Sequence, residues 1–180
     1  STHTTYDELF NRVTSETDAE GNTTWYCLDS PVVPPAGSPC VATSGKTGNL
    51  LATIDAEGNR IDYTYNANGD LKSATDPNGN ITTYAVYDRF GNATRVEQPE
   101  STWAQTTYDA RGRVRETIDS FGRHTRFTYD GLDRTIKAER LDDRGDGGQA
   151  QVEQMLYLAG GQIFRTTNGL GQVTEYTYDD

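Results

Sequence analysis

Apolar residues are scarce in this chain. Of its 180 residues 33% are hydrophobic and mean hydropathy is −0.77; ordinary globular domains run to roughly 45–50% apolar. No stretch approaches the roughly 18 consecutive apolar residues of a spanning helix, so no membrane insertion is expected. No basic-then-apolar leader opens the sequence either, and the chain reads as a mature product or a piece of a longer one. Cations are few: 16 Lys and Arg face 27 Asp and Glu, a net charge of −11. An acidic surface repels phosphate backbones and anionic headgroups, which argues against nucleic acid and membrane surfaces as partners. His3 and His124 have no Cys or second His near them, so no metal and no cofactor is expected. Cys27 has no activating His or Asn context, and no Ser sits in a Gly-x-Ser-x-Gly elbow. The expectation is no enzyme.

What is present is strand chemistry. The chain has 11 Tyr, 5 Phe and 2 Trp, is rich in Thr, and carries 18 Gly at largely regular positions. Aromatic and β-branched side chains favour pleated strands, so the low hydropathy signals a polar β fold and not disorder.

An internal repeat organises the sequence. Tyr-Asp occurs at Tyr6-Asp7, Tyr87-Asp88, Tyr108-Asp109, Tyr129-Asp130 and Tyr178-Asp179, with Tyr65-Asn66 as a near match. From Tyr65 the steps are 22, 21 and 21 residues. A second landmark, Asp-x-x-Gly, recurs at Asp18, Asp55, Asp76 and Asp119 and alternates with the first. Between landmarks the pattern has period 2: Ile61, Tyr63 and Tyr65 share one face, Arg60, Asp62 and Thr64 the other. Gly69, Gly91 and Gly112 fall in Asp/Asn/Gly clusters, where Asp or Asn bonds its own backbone and Gly accepts positive φ. Each unit therefore reads as a β-hairpin, and residues 1–180 as one array of them. Gly79 to Tyr87 is one residue longer than its counterparts, which suggests a β-bulge.

Two insertions interrupt the array, at residues 30–46 and 140–149. The first holds four of the six Pro and cannot be regular sheet. Cys27 and Cys40 could pin it with one disulfide or remain two buried thiols. The second reads as an exposed turn between longer strands. After it, residues 151–158 are expected as strand, with one short helix as the alternative.

The strings Tyr63-Thr64-Tyr65-Asn66-Ala67-Asn68-Gly69, Thr107-Tyr108-Asp109-Ala110-Arg111-Gly112-Arg113 and Phe127-Thr128-Tyr129-Asp130-Gly131-Leu132-Asp133-Arg134 resemble the YD repeat of the Rhs family. That family includes bacterial polymorphic toxins, the C component of insecticidal toxin complexes and teneurin ectodomains. The resemblance covers nearly the whole chain outside the insertions. Phe10, Glu100 and Asp133 stand where Gly is usual, so those turns need another conformation or loop length. The family's Asp-Pro-x-Gly cleavage core is not visible; Asp76-Pro77-Asn78-Gly79 has those letters but sits mid-array as an ordinary turn.

The resemblance implies an all-β, long, twisted and curved antiparallel sheet, a section of a shell that encloses a toxin or effector domain. It also implies a secreted or cell-surface protein whose partners are further YD repeats of a parent chain, edge-to-edge copies of itself, and an encapsulated toxin. The alternative is an extracellular adhesion module binding glycans or a receptor through Tyr, Phe and Trp rings and Asp/Asn-rich loops. Two smaller signals lie in the second insertion. Asp142 to Gly147 has the look of a calcium loop, but Arg144 takes the place of its second ligand. Arg144-Gly145-Asp146 spells an adhesion tripeptide of a length that chance supplies often. The repeated Asp residues read as turn caps and not as paired catalytic carboxylates.

Overall fold

The computed structural model describes residues 2–142 and 151–179. Fifteen strands bond in chain order as one open antiparallel sheet. Among the described residues the helical content is a single 3-10 turn, Pro99–Ser101. The all-β hairpin fold read from the sequence is the observed one. The chain divides into two compact units, Ser1–Tyr84 and Ala85–Asp180.

The first unit holds β1 (His3–Tyr6), β2 (Val13–Thr17), β3 (Thr23–Leu28), β4 (Leu50–Ile54), β5 (Arg60–Tyr65) and β6 (Leu71–Thr75); β7 (Ile81–Tyr87) runs across the division. Its core is small. Trp25 pairs with Ile54 and Cys27 with Ala52 across β3 and β4, and Cys27, Ala52 and Ile54 are buried with Trp25 and Cys40 packed on them. Ala52 and Ile54 lie opposite Asp62 and Arg60. Residues directly opposite share a face, so this core lies on the other side of the sheet from Tyr63. Cys27 and Cys40 form a disulfide, which fastens the Pro-rich loop to β3.

The second unit holds β8 (Ala93–Glu97), β9 (Trp103–Tyr108), β10 (Val114–Asp119), β11 (Arg123–Tyr129), β12 (Thr135–Asp142), β13 (Gln151–Tyr157), β14 (Ile163–Thr167) and β15 (Val173–Glu175). Residues 151–157 are thus strand, as expected. The string from Asp142 to Gly147 runs into residues 143–150, so the calcium-like loop and Arg144-Gly145-Asp146 lie outside the described residues.

Five hydrophobic side chains are buried among the described residues, and Ala138 is the one from the second unit. Apolar burial alone cannot hold such a sheet. Ladder hydrogen bonds and the turns at strand ends carry the rest.

Bulges recur in a fixed place. Thr64 pairs with Ser73 but Tyr65 with Leu71, leaving Lys72 as the extra residue. Thr128 pairs with Lys137 but Tyr129 with Thr135, and the same shift falls at Tyr6, Tyr108 and Tyr157. The bulge therefore lies on the strand after each such Tyr. The one suggested between Gly79 and Tyr87 is absent from the β6–β7 pairing, which runs unshifted from Ser73↔Thr83 to Thr75↔Ile81.

Candidate functional site

The recurring chemistry sits at the turns, and both sequence landmarks build the same turn. At Asp76 the backbone N–H donates to the Asn80 oxygen at 3.0 Å, and Gly79 N–H donates back to the Asp76 oxygen at 3.0 Å. Asp76 Oδ1 accepts the N–H groups of Asn78 and Asn80 at 2.9 and 2.8 Å, and Oδ2 accepts the Asn80 side-chain amide at 2.8 Å. Gly79 has φ +84°, a value open to Gly at little cost. Asp88 of a Tyr-Asp pair makes the same set with Asn92, and Gly91 takes the left-handed place. Asp109 and Asp130 substitute an Arg four residues on: Arg113 and Arg134 Nε each donate to the carboxylate at 2.7 Å. Asn66 and Asn168 serve in the Asp slot, paired to Asp70 and Gln172. The partner four residues ahead is a site feature that the landmark pairs alone did not reveal, although the letters Asp-x-x-Gly-Asn spell it.

These contacts set the carboxylate charges. The Asn80 side-chain amide, helped by its backbone N–H, holds Asp76 below the ordinary range. Arg113 does the same for Asp109 and Arg134 for Asp130. All stay ionised at neutral pH with their oxygens occupied, which suits capping and leaves no poised acid or base.

The three slots without Gly resolve in different ways. Asp133 takes φ +64° within a turn of standard length. The turn after Asp7 is one residue longer, closing on Arg12, and Asn11 rather than Phe10 is left-handed at φ +52°. In the turn from Gln98 to Thr102 the register puts Ser101 in the Gly slot; Ser101 and Glu100 are both at positive φ. The replacement read at Glu100 is therefore displaced by one residue.

Four tyrosines of the repeat tie their hairpins to the strand before them. Tyr65 donates its hydroxyl to the Leu50 oxygen at 2.8 Å, Tyr108 to Ala93 at 3.0 Å, Tyr129 to Val114 at 2.8 Å and Tyr178 to Ile163 at 2.8 Å, each 15 residues back. Tyr157 reaches Thr135, 22 back across the second insertion, at 2.9 Å. Arginines of the turns cover the rings: Arg113 lies over Tyr129 and Arg134 over Tyr157, 4.5 and 4.4 Å from the centroids. Tyr63 shares its strand face with Tyr65, Tyr87 closes β7, and Asp179 is exposed beyond Tyr178. Tyr6 is 56% exposed, and Asp7 below it is buried.

Two members of the series carry other letters. Leu28-Asp29 is a turn of the same kind: Asp29 N–H donates to the Asn49 oxygen at 2.7 Å and Gly48 N–H to the Asp29 oxygen at 3.0 Å. Asn49 follows Asp29 by 20 residues where Asn80 follows Asp76 by 4, so the Pro-rich loop is 16 residues held within one turn. Asp29 also accepts the hydroxyls of Thr43 and Thr47 at 2.7 and 2.6 Å, stitching the loop shut. Tyr157-Leu158 likewise closes on Gln162. Tyr157 stands 21 residues before Tyr178, so spacing could have found it.

Under the Pro-rich loop lies a cavity of about 230 Å³. Asp7 is at its wall, 4% exposed, with Oδ1 accepting Leu9 and Phe10 N–H and Oδ2 accepting the Ser30 hydroxyl at 2.7 Å. Burial pushes this carboxyl up, but Ser30 and the two amides outweigh it and the net direction is down. Elsewhere Glu116 accepts from Arg126 Nε at 2.8 Å and contacts His124 Nδ1 at 3.1 Å; His124 first and Arg126 second hold it low. Among the described residues no three His, Cys, Asp or Glu side chains gather to hold a metal.

Comparisons with known proteins agree with this geometry. The RHS Repeat family model matches residues 65–102 and 108–145. The toxin subunit YenC2 of Yersinia entomophaga is 36% identical over 74 residues, 41% of this chain and 8% of that protein. The double-stranded DNA deaminase toxin A of Burkholderia cenocepacia (strain H111) is 26% identical over 145 residues, 76% of this chain and 10% of that protein. A crystal structure containing TcdB2 and TccC3 superposes with TM-score 0.68 at 16% identity, covering 99% of this chain and 10% of that one. A Photorhabdus luminescens Tc holotoxin pore gives 0.66 at 18%, covering 99% and 9%. The chain spans about a tenth of the length of the curated relatives it matches.

Proposed function

From the premise that this is an RHS-repeat chain, we propose that residues 1–180 form one array and serve as a section of wall in an Rhs-type toxin component. In this reading the wall encloses a toxin or effector domain of the parent protein, is released from the cell or displayed on it, and is not itself an enzyme. Its outer strands join further YD repeats or a second copy, since unpaired strand edges recruit strands.

One observation carries the proposal. The tyrosine hydroxyls are spent on backbone carbonyls 15 residues back, and the turn carboxylates on their own turns. Side chains so committed build a surface; they do not attack a substrate. The same commitment weighs against the adhesion reading, because Tyr129 and Tyr157 each have one ring face under an arginine and a hydroxyl already bonded.

Protease protection in the full-length parent protein tests it. The segment beyond the repeats is expected to resist digestion until the repeat region is cut or unfolded. Digestion of that segment at the same rate with the repeats intact and deleted would overturn the wall reading. Saturable glycan binding lost on substituting Tyr6 would favour adhesion.

A further inference from the structure

The cavity under the Pro-rich loop has a chemistry that the repeat does not require. Its walls combine three unlike parts. Val32, Val33, Pro34, Pro35 and Val41 supply an apolar side, on a loop that the Cys27–Cys40 disulfide and Asp29 hold in place. Tyr6 and Tyr26 supply aromatic rings. Asp7 and Glu8 supply negative charge, and no Lys, Arg or His among the described residues lines the space.

The charge is fixed and not incidental. Asp7 is buried yet held ionised by the Ser30 hydroxyl and two backbone amides. Glu16 accepts the Tyr26 hydroxyl at 2.8 Å, which adds electron density to that ring. Tyr6 differs from the other tyrosines of the series: it is 56% exposed and makes no hydroxyl bond to another described residue. Aromatic faces next to carboxylates attract cations, and more strongly where apolar walls displace water.

Volume narrows the occupant. About 230 Å³ falls below the roughly 300–1,000 Å³ of pockets that take whole small molecules. It suits one long side chain. The geometry points to a docking site for a lysine or arginine side chain presented by a peptide segment with apolar neighbours. The alkyl stem lies along Val33 and Val41, and the charged head sits between Tyr6 and the Asp7–Glu8 pair. Long cationic side chains bury their stems along apolar surface in this way while the charged head keeps to water. This inference does not depend on the enclosure of a toxin.

Nuclear magnetic resonance titration of the intact chain tests it, with three probes. The first is an acetylated and amidated Ala-Leu-Lys-Leu-Ala peptide, the second its norleucine counterpart, the third free butylammonium. The lysine peptide is expected to give saturable shifts confined to Tyr6, Tyr26, Val33 and Val41, weakening as salt is raised. Glu8→Gln and Tyr6→Leu are each expected to weaken it about two- to fivefold, in line with exposed charge pairs and cation–aromatic contacts. Asp7 is left intact because it holds its turn. Equal binding of the norleucine peptide would overturn the cation site, as would shifts scattered over the sheet or no saturation. Butylammonium binding as tightly as the lysine peptide would overturn peptide docking.

Discussion

The Tyr129 hydroxyl donates to the Val114 carbonyl at 2.8 Å while Arg113 lies 4.5 Å over the Tyr129 ring. Arg113 also bonds Asp109 at 2.7 Å and Asp133 at 2.6 Å. One ring and one guanidinium thus join two successive Tyr-Asp turns, at Asp109 and Asp130, and the strands β10 and β11 that lie between them. The Asn that fills the same slot at Asn59, Asn80 and Asn92 is too short for this; it secures its own turn only.

Removing the hydroxyl and removing the ring should have separable effects. Tyr129→Phe is expected to cost about 1 kcal/mol, the worth of one hydrogen bond. Tyr129→Ala is expected to cost about 2–3 kcal/mol, because ring packing and the arginine contact go as well. Urea denaturation measures both, and equal losses would contradict the two-part role.

Glycine substitutions should split by backbone angle and not by space. Gly79 and Gly131 both have nothing within 4 Å of an added Cβ, but only Gly79 is left-handed, at φ +84°. Gly79→Ala is expected to destabilise by about 1 kcal/mol. Gly131→Ala is expected to be neutral or to stabilise by about 0.4–1 kcal/mol, through a less flexible unfolded chain. Thermal melts of the two variants distinguish them.

The disulfide fastens a loop with little core beneath it. Cys27 and Cys40 are 13 residues apart, a span whose closure is worth about 3 kcal/mol. Reduction, or Cys27→Ser with Cys40→Ser, should lower the melting temperature and open residues 31–41 to proteolysis first. Unchanged cleavage there would show that Asp29, Thr43 and Thr47 suffice.

Acid should loosen the turns together. Asp18, Asp55, Asp76, Asp88, Asp109, Asp119 and Asp130 are all held below their ordinary values by partners in their own turns, the residue four ahead first. A carboxyl with a depressed folded value contributes stability that is present above its unfolded value, about 3.9, and lost as pH falls through the folded one. Urea midpoints are expected to hold down to about pH 4 and to fall below it. Asp76→Asn should keep its turn, since Asn66 fills the same slot natively, and should remove one share of that fall.

Most of this architecture could be read from the letters, because the repeat makes each turn and strand testify for the next. Period 2 placed Ile61, Tyr63 and Tyr65 on one face, and Gly69, Gly91 and Gly112 marked left-handed turn positions. The hidden members escaped because they break the letters while keeping the geometry. Leu28-Asp29 has no tyrosine, and Gly48-Asn49, which completes its turn, lies beyond a long excursion. Tyr157-Leu158 has no aspartate, yet backbone bonds close it. The 15-residue hydroxyl reach and the bulge that follows Tyr6, Tyr65, Tyr108, Tyr129 and Tyr157 are properties of strand pairing, and no single strand displays them. The cavity could not be foreseen, because Asp7 meets Ser30 and the Pro-rich loop only after β1 to β3 have paired.

The claim that matters most is that Tyr65, Tyr108, Tyr129, Tyr157 and Tyr178 lock their hairpins to the strand before them. Amide hydrogen exchange on the Tyr129→Phe chain, compared with the unaltered chain, tests this directly. The account predicts faster exchange concentrated in β10, β11 and the Asp130 turn, with residues 2–75 unchanged. Protection retained at β10 and β11, or lost evenly along both units, would contradict it.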